Sequence, residues 1–252
     1  MTPIQAYIWL FLSLVLLIPL QRWIHRHLQG LLLLLTRNPV LSQGMYALLF
    51  FPGVLVHEGS HWLVARLLGV EVVEVSLLPQ REDDGRLRFG FVEIADAGRI
   101  RSALIGIAPL VFGTVILLLL SNFLVDLDDL LSALFQGNWR TLWAHLWGVA
   151  RAPDALLWLY LSFAISNAML PSGSDRSSFL PGLIGLAGGL LAAALIWDLR
   201  IVFEWLNSWG MQAARFLALA FSFTLMIDVT LVIPIWLAER AVTRLTGLTV
   251  QY

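Results

Sequence analysis

The sequence predicts an all-α polytopic membrane protein of about six transmembrane helices, with a small β-hairpin between the second and third. Three observations carry that prediction. Of 252 residues, 59% are hydrophobic and 13% are charged, roughly half the charge share of an ordinary soluble domain. Six apolar runs recur along the chain, and about twenty apolar residues cross a bilayer. The connections between runs are short, so residues 1–252 read as one integral membrane domain. Together these exclude a soluble enzyme.

The first span covers about residues 4–20. No basic residue precedes it and no small-residue cleavage site follows, so it reads as a retained helix. A basic stretch, residues 22–27, comes next. The five leucines at 31–35 either continue this helix or form an interfacial piece. The second span covers about residues 42–68, with Pro52 and Gly53 as kink points. The remaining spans cover about 102–125, 155–170, 179–197 and 216–237, each nearly free of charge.

Two connections have their own patterns. Residues 71–78 and 87–94 are rich in β-branched and aromatic residues and flank a polar turn containing Asp84-Gly85, which predicts a β-hairpin over about 70–95. After an acidic turn beginning at Asp126, Trp139, Trp143 and Trp147 recur every four residues. That spacing predicts an interfacial helix over about 137–150.

Composition limits the chemistry. The net charge is −1, which points to neither nucleic acid nor an anionic membrane surface as a partner. Cysteine is absent, removing disulfides and thiolate chemistry, so any metal must be held by His, Asp or Glu. All 16 basic residues are Arg, which excludes lysine Schiff-base chemistry.

The informative cluster is His57-Glu58-Gly59-Ser60-His61, in the second span. Histidines at i and i+4 share a helical face and can bind one metal ion. The glutamate beside the first of them can take a proton from an activated water. With 5 His and 7 Glu in the chain, chance predicts roughly 0.003 such patterns. No charged residue occurs from Leu41 to Val56, so the cluster lies in apolar sequence, where an unpartnered Glu58 costs a few kcal/mol. His25, His27 and His145 fall in loop or interfacial sequence and read as solvated or snorkelling.

A catalytic zinc needs a third protein ligand. One candidate is Asp175, in the Pro/Gly-interrupted segment that follows the fourth span. The other is Asp228, deep in the sixth. The residues alone do not choose between them.

The stretch Val56-His57-Glu58-Gly59-Ser60-His61-Trp62-Leu63 inside a hydrophobic span resembles the zinc-binding helix of the site-2 protease family of intramembrane metalloproteases. The hairpin, then Gly106-Ile107-Ala108-Pro109 in the third span, then Asn167, Pro171 and Asp175 follow in that family's order. The likeness covers about residues 42–180. Ser174-Asp175-Arg176 departs from the family's Leu-Asp-Gly, and no regulatory domain is inserted.

The resemblance implies a minimal zinc metalloendopeptidase. His57, His61 and Asp175 would hold Zn²⁺, Glu58 would be the general base, and the Asn167 amide would help stabilise the oxyanion. The substrate would be an unwound transmembrane helix of another protein, held at the hairpin edge. It also implies a prokaryotic plasma membrane, with the catalytic centre, the hairpin and the C-terminus all on the cytoplasmic side. Nine of the sixteen arginines (66, 81, 86, 88, 99, 101, 176, 240 and 244) would then lie on that side. The competing expectation is a non-proteolytic membrane metal protein, either a carrier or a pseudo-protease that binds partner helices.

Overall fold

The computed structural model describes residues 3–81, 87–124, 132–133, 136–151, 154–171, 173–196 and 199–250. The expected Asp84-Gly85 turn and the start of the acidic turn at Asp126 lie outside them. The chain is mostly helical, with α1 (Pro3–Thr36), α2 (Pro39–Leu67), α3 (Gly98–Leu124), α4 (Trp139–Arg151), α5 (Ala155–Ala168), α6 (Gly173–Ile196), α7 (Leu199–Trp205) and α8 (Met211–Thr246). Strands β1 (Val72–Arg81) and β2 (Leu87–Ile94) pair antiparallel between α2 and α3. Among the described residues, four helical segments are long and apolar enough to cross a membrane: Ile4–Thr36, Pro39–Leu67, Gly98–Ser121 and Phe203–Thr246. The chain is thus a helical membrane protein with a two-stranded hairpin.

Several boundaries differ from expectation for physical reasons. Residues 3–36 form one helix, because a buried stripe of Ser13, Leu17, Gln21, Ile24 and Leu34 runs through the basic stretch at helical spacing. Arg22 and Arg26 lie on its exposed face. The leucines at 31–35 are the continuation of that helix. The expected fourth span is only the 14-residue α5, about 21 Å long at 1.5 Å per residue, which is shorter than a bilayer core of roughly 30 Å.

Six full crossings would return the first and last helices' free ends to one side, and the packing argues against that. The Tyr7 hydroxyl donates to the Leu206 carbonyl, the Trp9 indole donates to Ser222, and His27 pairs with Glu239. Both residue numbers rise together, so α1 and α8 run parallel. The Thr246 end of α8 is therefore at the opposite end of the bundle from the Leu67 end of α2, where the hairpin has its base. The base of the hairpin and the C-terminus are thus at opposite ends of the bundle, where the resemblance implies one side, and Arg240 and Arg244 lie away from that base.

Lipid tails are as apolar as Leu, so helices in a membrane associate through close packing and small residues. A Cβ on Gly53 of α2 would lie 2.0 Å from the Ala164 carbonyl oxygen of α5. One on Gly113 of α3 would lie 2.6 Å from the Met169 Cβ, and one on Gly182 of α6 would lie 2.4 Å from the Ala103 Cβ. These three close approaches pack α6 against the start of α3, the middle of α3 against the residue that follows α5, and α2 against α5, in one cluster of helices. Leu17, Ile24, Phe50, Leu117, Phe163 and Phe223 fill the apolar core beside it.

The hairpin folds back along α2. Leu77 and Pro79 of β1 line a cavity of about 150 Å³ with Gly44, Leu48 and Phe51 of α2, well away from the end of α2 at which the hairpin begins. The strand register is irregular between Ser76 and Pro79, opposite Gly90, and such bulges re-aim a strand. Gly90 has φ +83, and a Cβ there would lie 2.7 Å from Val54 Cγ1 and 3.1 Å from Glu58 Cγ. The position requires glycine on both counts. Far from this, α4 presents Trp139, Trp143 and Trp147 to the outside, each at least 60% exposed, as an interfacial helix should.

Candidate functional site

Helix α2 begins at Asn38, whose side chain accepts from the Val40 and Leu41 amides, with Pro39 in the first turn. From that start the helical period places Gly53, His57 and His61 in one row, four residues apart. Gly53 lets α5 come close at the top of the row. The two imidazoles below it then meet backbone from α5 and α3.

Each imidazole is held through its Nδ1. His57 Nδ1 lies 2.6 Å from the Ala168 carbonyl oxygen, and His61 Nδ1 lies 2.8 Å from the Ile105 carbonyl oxygen. A carbonyl only accepts, so both Nδ1 atoms carry the proton and donate it. In the neutral rings this leaves the Nε2 lone pairs free to coordinate. A donated Nδ1 hydrogen bond is the usual way of orienting a metal-binding histidine.

Those two carbonyls are available for reasons written in the chain. Pro109 lies inside α3 and has no N–H, so the Ile105 carbonyl four residues earlier lacks its normal helical partner. Ala168 is the last residue of α5, and carbonyls in the last turn have no intrahelical donor. A proline in one helix and the end of another thus each supply an acceptor where an imidazole needs one.

Asp175 completes the group. Its Oδ2 is 3.2 Å from His57 Nε2 and its Oδ1 is 3.1 Å from His61 Nε2. The three ligand atoms lie within 4.8 Å of one another. The residue is buried in the first turn of α6, which begins at Gly173, rather than in an irregular loop as its sequence suggests. A helix start is a favourable place for a carboxylate. The imidazole rings meet edge to face with centroids 4.9 Å apart, so both Nε2 atoms address the same carboxylate.

This buried group of His57, His61 and Asp175 can hold a metal ion. Two neutral nitrogens and one carboxylate oxygen, with both nitrogens already oriented from behind, form a donor set that suits a divalent cation of intermediate softness. Glu58 sits on the same helix, 9% exposed, between the metal-binding row and Gly90 of the hairpin.

The other two candidates are elsewhere. Asn167 Nδ2 donates to Asp228 Oδ1 at 2.8 Å and to the Phe163 carbonyl at 3.0 Å. Both amide protons are thereby engaged, and the expected oxyanion role for Asn167 finds no support in this arrangement. Asp228 is fully buried and turned to Asn167, so it does not join the histidines as an alternative third ligand. The contribution the residue patterns did not expose is that of backbone: the Ile105 and Ala168 carbonyls and the clearance at Gly53 and Gly90. Pro109 and the helix break before Pro171 were the available signals.

Comparison with family models, with characterised proteins and with solved structures finds no match to this chain.

Proposed function

We propose that this chain is an intramembrane zinc metalloprotease that hydrolyses a peptide bond of a membrane-embedded protein substrate. The observation that carries the reading is the convergence of both His Nε2 atoms on Asp175, with each Nδ1 tied to a carbonyl and Glu58 adjacent. His57, His61 and Asp175 would hold Zn²⁺, which when bound supplies Lewis acidity toward water and the scissile carbonyl.

The chain's own residues do the rest. Glu58 accepts the proton of the attacking water and delivers it to the leaving amine. Its burial against the hairpin keeps bulk water from competing for that proton. The two backbone carbonyls hold the imidazoles in one tautomer through the cycle. A substrate helix must unwind before its carbonyls can be attacked. The hairpin runs back past Glu58, and among the described residues no third strand pairs with β1, so an extended substrate segment would add at its outer edge. Val73 and Leu78 of β1, 62% and 67% exposed, give that edge an apolar character compatible with a lipid-facing approach.

A Glu58→Gln variant tests the reading. It should retain one zinc per chain while cleavage of a co-expressed single-span substrate drops by about 100-fold or more. Cleavage at the wild-type rate would overturn the mechanism.

A further inference from the structure

Where His27 of α1 meets the C-terminal part of α8, an open cavity of about 410 Å³ is lined by His27, Trp236, Glu239, Arg240, Thr243 and Arg244. It lies toward the end of the bundle opposite the base of the hairpin and shares no residue with the metal-binding group. We propose that it is a binding site for the phosphate headgroup of an anionic glycerophospholipid, with Arg240 and Arg244 as the phosphate ligands. The proposal stands apart from the protease reading.

Depth is the first argument. From Phe216 to Ala238 the only ionisable residue of α8 is Asp228, and these 23 residues span about 34 Å as helix, close to the thickness of a bilayer core. Arg240 and Arg244 follow directly, which sets their guanidinium groups at headgroup level. Trp236 sits one turn inward, where indoles favour the membrane boundary.

Charge is the second. His27 Nδ1 lies 2.5 Å from Glu239 Oε2, so the cavity's one carboxylate is already paired. Arg240 stacks on the Trp236 ring at 4.2 Å. Among the described residues, neither Arg240 nor Arg244 has a carboxylate within salt-bridge distance. Two guanidiniums one turn apart on a shared face can meet a phosphate together, and Thr243 adds a hydroxyl donor. The protein's near-zero net charge conceals this local excess.

Shape is the third. Below the cavity, Val229 and Ile233 of α8 continue the same helical row and are 57% and 64% exposed. An acyl chain can lie along them while its phosphate sits on the arginines. A free phosphate would use only the upper part of this surface. Basic pockets between membrane helices, at the level of the headgroups, are suited to anionic lipids.

The test is native mass spectrometry on the delipidated full chain, titrated with phosphatidylglycerol or phosphatidylcholine. The wild-type chain should bind its first phosphatidylglycerol about 30-fold more tightly than phosphatidylcholine. Arg240→Gln with Arg244→Gln should erase that preference, while Arg200→Gln should leave it intact. Equal affinity for the two lipids in the wild-type chain, or a preference that survives the double change, overturns the proposal. So does full displacement of the lipid by millimolar inorganic phosphate, which would mark a site for free phosphate. Should the glutamine pair fail to fold, Arg240→Lys with Arg244→Lys must keep the preference, and its loss overturns the proposal equally.

Discussion

Two buried carboxylates stand close to the same level of this bundle, and they have opposite surroundings. Asp175 faces two imidazole nitrogens whose far sides are already hydrogen-bonded. Asp228 faces two side-chain amides, Gln21 of α1 and Asn167 of α5, and both protons of the Asn167 amide are engaged. Both acids are buried, Asp175 in a polar segment and Asp228 in an apolar helix, and burial alone would nominate either as functional. What separates them is convergence. Around Asp175 two imidazole nitrogens are aimed at one point, whereas around Asp228 the contacts are amides that tie α1, α5 and α8 together.

The largest effect that can break this contrast is on metal content. Asp175→Ala removes one of three donors and should lower zinc affinity by more than about 100-fold, beyond what loss of an outer contact costs. Asp228→Ala should leave affinity near that of the wild-type chain. Metal analysis of both variants after dialysis against a graded chelator decides between them. Zinc lost only with Asp228→Ala would reverse the assignment.

A subtler change probes the orientation of the histidines. Pro109→Ala restores an N–H that competes with His61 for the Ile105 carbonyl. The imidazole should then sample other rotations, and zinc affinity should fall by about tenfold. The Glu58→Gln chain carrying the same change should show the same loss, since the effect acts on binding rather than on proton transfer. Unchanged affinity would mean the Ile105 contact does not position His61.

Much of this contrast could be read from the chain, and the unread part has a common cause. His57, Glu58 and His61 were legible because helical periodicity alone fixes their relation. The choice of Asp175 over Asp228 was not, since each acid is more than 100 residues away and only packing decides which one arrives. The carbonyls of Ile105 and Ala168 were invisible because every residue has one. What distinguishes them is a missing donor, and a proline in an apolar helix is the mark that donor loss leaves in a sequence. The relative placement of the two ends failed for a different reason. It depended on whether residues 155–170 make a full crossing, and hydropathy does not see that α5 stops at Ala168.

The smallest expected effect concerns the quieter carboxylate. Asp228 Oδ2 and Asn167 Oδ1 are both buried without a hydrogen-bond partner among the described residues. Two acceptor oxygens left in that state are costly, at about 1–3 kcal/mol for each unsatisfied group. Asp228→Asn keeps the shape and the Oδ1 acceptor for Asn167, removes an ionisable group, and replaces an unpartnered buried acceptor by an N–H donor. Stability should therefore be equal to or above that of the wild-type chain, and zinc content should not change. Asp228→Ala, by contrast, strands the Asn167 amide and should cost about 1–3 kcal/mol. Unfolding in a denaturing detergent titration orders the three chains. If Asp228→Asn proved as damaging as Asp228→Ala, the negative charge itself would be in use, and the view of Asp228 as a structural acid would have to be given up.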